Sequence, residues 1–251
     1  MKIGVIGFGN LAKALLTGIL KSGKITENDI TVTAKSHESL CKASFCGYNA
    51  TDSVPAIFSC DVVILAVKPA VFKTLIPLIP TNFVGKIVST MACFSLLELK
   101  NVFKNNAVIR IMPSLLSNGG NDLISVCGDV ESFTNFMPIL NGAGKVVVSS
   151  EEKFNAYLVA LSCGVGFSAY ITESYKKAIL NLGFTSSEAN EITATLFSNV
   201  ASESDRVALY NKVATKGGVT ELGLNEFEND NLNEVIKNAV LKSYDKVNGK
   251  N

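Results

Sequence analysis

From residue 1 to residue 150, short runs of aliphatic and β-branched residues alternate with stretches of helical spacing. The runs Lys2–Ile6, Ile30–Ala34, Val62–Val67, Lys86–Thr90, Ala107–Ile111, Asp122–Val126 and Lys145–Val148 predict strands. Val62-Val63-Ile64-Leu65-Ala66-Val67 offers no polar face, the pattern of a strand covered by helices on both sides. Lys68-Pro69 ends it, because proline cannot continue the hydrogen-bonded ladder. The alternation predicts an α/β domain with a doubly wound parallel sheet. Beyond Ser149 the pattern changes. Glu151–Ser162, Ala169–Leu182, Ser186–Ser204 and Asn231–Val247 carry helical spacing, and Thr185-Ser186-Ser187-Glu188 has the spacing of a capping box. In the last helix Leu232, Val235, Ile236, Ala239 and Val240 form one apolar face. The chain therefore divides into an α/β domain, 1–150, and an all-helical domain, 151–251. Their short join near Ser149–Glu152 predicts that the two pack together.

The first strand runs directly into Gly7-Phe8-Gly9-Asn10-Leu11-Ala12, a G-x-G-x-x-A turn that opens the helical run Leu11–Leu20. Gly7 permits the tight turn, Gly9 lets the backbone approach a pyrophosphate, and small Ala12 lets the helix pack on the strand. The amide groups at the helix start then face the phosphates. The motif predicts a Rossmann-like dinucleotide-binding domain.

Composition narrows the function classes. The chain has 251 residues, 47% of them apolar, and a net charge of +1. That is enough for a sizeable core, and no basic surplus points to nucleic acid or an anionic membrane. The longest purely aliphatic run, Val62–Val67, is far below the ~20 residues of a membrane span. The N-terminus reads as the first strand, not as a signal peptide. Six cysteines are scattered without a C-x-x-C pair, which predicts reduced thiols in a cytoplasmic protein and no metal site. The single histidine, His37, lies in a polar segment, which disfavours acid–base chemistry built on histidine.

The end of the second strand reads the adenosine ribose in this kind of domain, and a carboxylate there selects NAD. Here Ile30–Ala34 leads into Lys35-Ser36-His37, with no acid before Glu38. The charge of Lys35 and the hydroxyl of Ser36 favour NADP(H), with NAD(H) the alternative.

A second cluster lies in the helical domain, at Thr215-Lys216-Gly217-Gly218-Val219-Thr220. Two glycines at a helix start make an anion pocket of successive amide groups, with the Thr220 hydroxyl beside it. An ordinary glycine turn capped by threonine is the competing reading.

Taken together, these motifs resemble those of pyrroline-5-carboxylate reductases, nearly end to end. Gly7–Ala14 is similar to the family's Gly-x-Gly-Asn-Met-Ala opening, and Asp61–Pro69 to its Asp-Val-Val-Ile-Leu-Ala-Val-Lys-Pro. Val108–Pro113 is similar to Val-Val-Arg-Val-Met-Pro. Ala160-Leu161-Ser162 matches the start of Ala-Leu-Ser-Gly-Ser-Gly-Pro-Ala-Tyr, and Gly217–Thr220 resembles the core of Ser-Pro-Gly-Gly-Thr-Thr. The resemblance implies reduction of 1-pyrroline-5-carboxylate to L-proline, the last step of proline biosynthesis, by hydride transfer from NAD(P)H to the C=N carbon. It implies cofactor contacts from Gly7, Phe8, Gly9, Asn10, Leu11, Ala12, Lys35, Ser36, Ser53, Ala66, Val67, Lys68, Pro69 and Ala92. Thr220 becomes the partner of the imine nitrogen. The amides of Gly217, Gly218 and Val219, with Thr215, become the holders of the substrate carboxylate. A homo-oligomer built from dimers through the helical domain is also implied.

Departures from the family pattern are specific. Thr215-Lys216 replaces Ser-Pro, Ser114-Leu115-Leu116 replaces Asn-Thr-Pro, Ser53 replaces an asparagine, and Cys163–Ser168 changes a glycine-rich segment and its length. They keep two alternatives open: an NADP-dependent reductase of another imine or carbonyl, and a non-catalytic NADP-binding member of the family.

Overall fold

The computed structural model describes residues 1–249. Among them, eight strands form one sheet in the order β3-β2-β1-β4-β5-β6-β7-β8. Their ranges are β1 Ile3–Ile6, β2 Ile30–Thr33, β3 Asn49–Thr51, β4 Val62–Leu65, β5 Lys86–Ser89, β6 Val108–Met112, β7 Asp122–Gly128 and β8 Gly144–Val148. Every neighbouring pair is parallel except β6 and β7, which run antiparallel. Helices α1 (Asn10–Leu20), α2 (His37–Phe45), α3 (Val54–Ile57), α4 (Pro69–Leu75), α5 (Leu96–Val102) and α6 (Met137–Leu140) connect the strands. Helix α7 (Glu151–Tyr157) continues through a π-helical turn, Leu158–Cys163, into α8 (Gly164–Leu180). Then follow α9 (Ser186–Ser202), α10 (Arg206–Val213), α11 (Val219–Asn229) and α12 (Leu232–Val247).

The doubly wound sheet follows from the two-residue period of its strands. Val62 and Ile64 join one buried cluster with Ile3, Val5, Leu15 and Ile109. Val63 and Leu65 point the other way, into a cluster with Phe58, Phe72, Phe94 and Phe103. Successive side chains leave a strand on opposite faces, so an all-apolar run demands two cores. The second is largely aromatic: Phe72 and Phe94 meet edge to face at 5.4 Å, as do Phe58 and Phe83 at 5.0 Å. Between the antiparallel pair, Asp122 is buried and accepts from the Ser114 amide (2.6 Å), the Ser114 hydroxyl (2.9 Å), the Leu123 amide (2.8 Å) and the Ser117 hydroxyl. One carboxylate thus closes the turn that reverses the chain after β6.

Several sequence expectations differ from the structure. Strand β3 and helix α10 carry no pattern that predicted them, whereas the helix expected to open at Gly217-Gly218 is α11. The break expected between Ser162 and Ala169 is absent, because the π-turn carries the helix through from Glu151 to Leu180. A π-turn absorbs an extra residue without ending a helix, and it falls where the segment departs in length. The Thr185 box forms as expected: the Thr185 amide donates to Glu188 Oε2 at 2.8 Å.

The described chain falls into two compact units. The first is Met1–Val165 with the end of the chain from Tyr244, and the second is Gly166–Ser243. The cysteines are free thiols; Cys60 and Cys127 are buried, and burial pushes the Cys127 thiol up to about 11. Among the described residues there is no cluster of metal-binding side chains. One helix among them, Glu151–Leu180, is long and apolar enough to cross a membrane by length and composition.

Candidate cofactor cleft and anion loop

Strand order reverses between β1 and β4, and the crevice at the carboxyl ends of such strands is where this topology binds ligands. The glycine turn sits there. Gly7 has φ +101°, donates to the Thr33 carbonyl at 2.8 Å, and leaves 2.4 Å between a built Cβ and the Ala66 carbonyl oxygen, so no side chain fits. Gly9 begins α1 without a side-chain cap, and a Cβ on it would meet nothing within 4 Å. The amides of Asn10, Leu11 and Ala12 find no acceptor among the described residues. This is an open crown of donors at the positive end of a helix, and it fits a pyrophosphate.

The predicted cofactor residues divide into side chains and backbone. Phe8 turns its ring into the core, 5.8 Å from Tyr48 and under Lys13 Nζ at 5.3 Å, so only its backbone borders the turn. Ala12 is buried against the sheet, Leu11 is half-buried and Asn10 is exposed. Lys35 is exposed and has no ion-pair partner among the described residues. The Ser36 hydroxyl is engaged locally, accepting from the Ser39 amide at 3.2 Å and donating to the Ser39 hydroxyl at 2.9 Å. Ser53 caps α3, accepting from the Ala56 amide at 3.4 Å. Ala66 and Val67 are half-buried after β4, and Lys68 and Pro69 start α4. Ala92 is half-buried after β5.

A cleft of about 740 Å³ joins part of this set, with Gly7, Lys35 and Val67 in its walls. A similar volume, about 800 Å³, opens by Asp61, Val62 and Lys86 at the amino ends of the strands, away from the carboxyl-end crevice. Two ionisable cleft residues escaped sequence reasoning: His37, the first residue of α2, and Asp52, delivered by β3. The polar, three-residue edge strand gave no signal of its own. Asp52 matters because it brings into the cleft that Lys35 lines the acid that the end of β2 lacks.

The second predicted site lies in the second unit. Gly217 has φ +73°, which a residue with a Cβ rarely adopts. Gly218 starts α11, and a Cβ there would stand 2.7 Å from Thr215 Oγ1, so Thr215 packs its side chain over the turn. The Gly218 amide donates to the Thr215 carbonyl at 2.8 Å. The Gly217 amide donates to Glu221 Oε2 at 2.6 Å. Of the three amides predicted to hold a carboxylate, only that of Val219 is without an acceptor among the described residues. Val219 and Thr220 are exposed. The loop does bind a carboxylate, and the carboxylate is its own.

Fold and cleft define a two-unit α/β protein with a dinucleotide-binding sheet. Residues 151–249 match the family described as pyrroline-5-carboxylate reductase dimerisation, and residues 2–93 match NADP oxidoreductase, coenzyme F420-dependent. The pyrroline-5-carboxylate reductase of Staphylococcus epidermidis is 28% identical over 239 residues, 89% of this chain and 88% of that protein. That of Staphylococcus aureus is 26% identical, covering 98% and 96%. A 1-pyrroline-5-carboxylate reductase structure from Streptococcus pyogenes superposes with TM-score 0.88 at 25% identity, covering 98% of each chain. The fold of a Plasmodium falciparum pyrroline carboxylate reductase crystallised with NADP bound is also shared, with TM-score 0.87 at 18% identity over 100% and 98%. Over most of its length, in sequence and in fold, the chain is similar to pyrroline-5-carboxylate reductases.

Proposed function

We propose that this chain reduces 1-pyrroline-5-carboxylate to L-proline with a reduced nicotinamide cofactor, NADPH in preference to NADH. The observation that carries the reading is the open crown of amides over Gly9 at the switch point, in a chain that aligns over most of its length with such reductases. When bound, the cofactor supplies the hydride for the imine carbon. The protein's part is position and field. The crown holds the pyrophosphate, and the uncommitted charge of Lys35 supports a 2′-phosphate. In the second unit, the Thr220 hydroxyl donates to the imine nitrogen, where electron density builds as hydride adds to the carbon, and solvent supplies the proton that completes the amine. The Val219 amide and the α11 terminus take the substrate carboxylate, and Glu221 yields the Gly217 amide to it. No strong general base is required, in keeping with a single histidine.

We further propose that the active form is a dimer through the helical unit, whose apolar surface a second copy covers. A steady-state assay with purified protein tests the function. NADPH oxidation that depends on 1-pyrroline-5-carboxylate supports it. Oxidation only with another imine or carbonyl moves the chain to a different substrate, and cofactor binding without turnover makes it a non-catalytic member.

A further inference from the structure

Arg110 is 3% exposed, in the middle of β6, opposite Ser89 of β5 and Cys127 of β7. Its Nη1 donates to Glu151 Oε1 at 2.9 Å, and its Nη2 donates to the Met91 carbonyl at 3.3 Å. The fully buried ring of Phe154 lies against the guanidinium, 4.0 Å from ring centroid to Cζ. The same Glu151 oxygen accepts from the Leu96 amide at 2.6 Å. The segment Met91–Leu96 between β5 and α5 is therefore gripped at both ends, its first carbonyl by Arg110 and its last amide by Glu151. Inside it, Cys93 is held at φ +54°, a left-handed conformation that a non-glycine residue keeps only where its surroundings over-determine it.

An ion pair with its cation buried and its carboxylate only partly so is a poor way to add stability, since the desolvation cost offsets much of the attraction. This one also leaves Arg110 Nε without an acceptor among the described residues. Geometry is what it supplies: two anchors at fixed separation, set by a planar, stacked cation. We propose that Arg110, Glu151 and Phe154 position the Met91–Leu96 segment so that it receives the nicotinamide half of the cofactor, an inference that rests on the cofactor reading above. In this topology β1 to β3 serve the adenosine half, and the carboxyl ends of the strands beyond β4 flank the other.

The test separates the two halves of the cofactor by calorimetry on the purified full-length protein. Glu151→Ala removes the one oxygen that accepts from both Arg110 and the Leu96 amide, and Arg110→Lys keeps the charge but loses the fork. Both weaken NADP+ binding by about tenfold, the loss of roughly one net hydrogen bond, while 2′,5′-ADP, which lacks the nicotinamide half, binds as before. Equal weakening of the two ligands would mark a merely structural role and overturn the proposal, as would unchanged binding of both. If Arg110→Lys does not fold, Glu151→Ala, on a partly exposed side chain, decides alone. If the unaltered protein binds neither ligand, the cofactor reading fails first, which is a different result from either variant outcome.

Discussion

Glu221 holds the Gly217 amide, and on the function proposed above a substrate carboxylate would have to displace it. Glu221→Ala should lower KM for 1-pyrroline-5-carboxylate by about threefold to tenfold, the value of one hydrogen bond of roughly 1 kcal/mol, with kcat little changed. A raised KM would mean that Glu221 shapes the loop instead of plugging it. Thr220→Ala should lower kcat/KM by about tenfold to a hundredfold, for one transition-state bond of ~1.4–2.7 kcal/mol. Lys35→Asp should cut kcat/KM with NADPH by about tenfold or more and leave NADH nearly untouched, since only the 2′-phosphate meets the lost charge. A clear NADH preference in the unaltered protein would instead give the cleft to Asp52. At this scale the glycines were legible, because their demand is on the backbone itself: Gly7 at φ +101° and Gly217 at φ +73° admit few substitutes. Side-chain direction was not. The sequence places Phe8, Ser36 and His37 beside the cofactor motifs, yet only the fold turns Phe8 inward, spends the Ser36 hydroxyl on a cap and sets His37 in the wall of the cleft.

Elements with a buried apolar face announced themselves, and those held by polar contacts did not. Strands β1, β4 and β5 were visible as aliphatic runs; β3 is largely exposed and borrows its place from β2. The turn after β6 shows the same limit. Ser114 departs from the family pattern, but its amide and hydroxyl are the first donors to buried Asp122. Asp122→Asn replaces an acceptor oxygen by a donor amid four donors and should cost about 2–4 kcal/mol, read from urea unfolding. A smaller element gives a pH effect. At Thr26–Asp29 the Thr26 amide, then Lys2 Nζ at 3.0 Å, lowers Asp29 to about 2 from its ordinary value of 3.8. Its folded value is depressed, so its stabilisation is present above 3.8 and is lost as pH falls through about 2. The gap in Tm between the protein and Asp29→Asn should therefore be full at neutral pH and close across that acid window.

The second unit raises a question that only the whole molecule answers. From Gly166 to Ser243, only Ile179, Ala189 and Thr193 are buried. A body of that size cannot offset its chain entropy with so small a core. The apolar face foreseen on α12 is present, yet Leu232, Val235, Ile236 and Val240 all face solvent in the single chain. Tyr170 is 78% exposed and Leu222 66%. Such a surface is either covered by another copy or lies in lipid, since Glu151–Leu180 also satisfies the length and composition of a membrane span. The charged residues between its apolar positions, among them Glu173, Lys176 and Lys177, favour a protein partner, because each would be costly in hydrocarbon. Sedimentation should then give a dimer or a multiple of it, and Tm should rise with protein concentration, as mass action requires when folding and association are coupled. Ile236→Glu places a charge in the apolar face of α12 and should shift the sedimenting species toward single chains while lowering Tm. A single-chain mass with a concentration-independent Tm would remove the dimer, and partition into vesicles without added detergent would assign the helix to the bilayer.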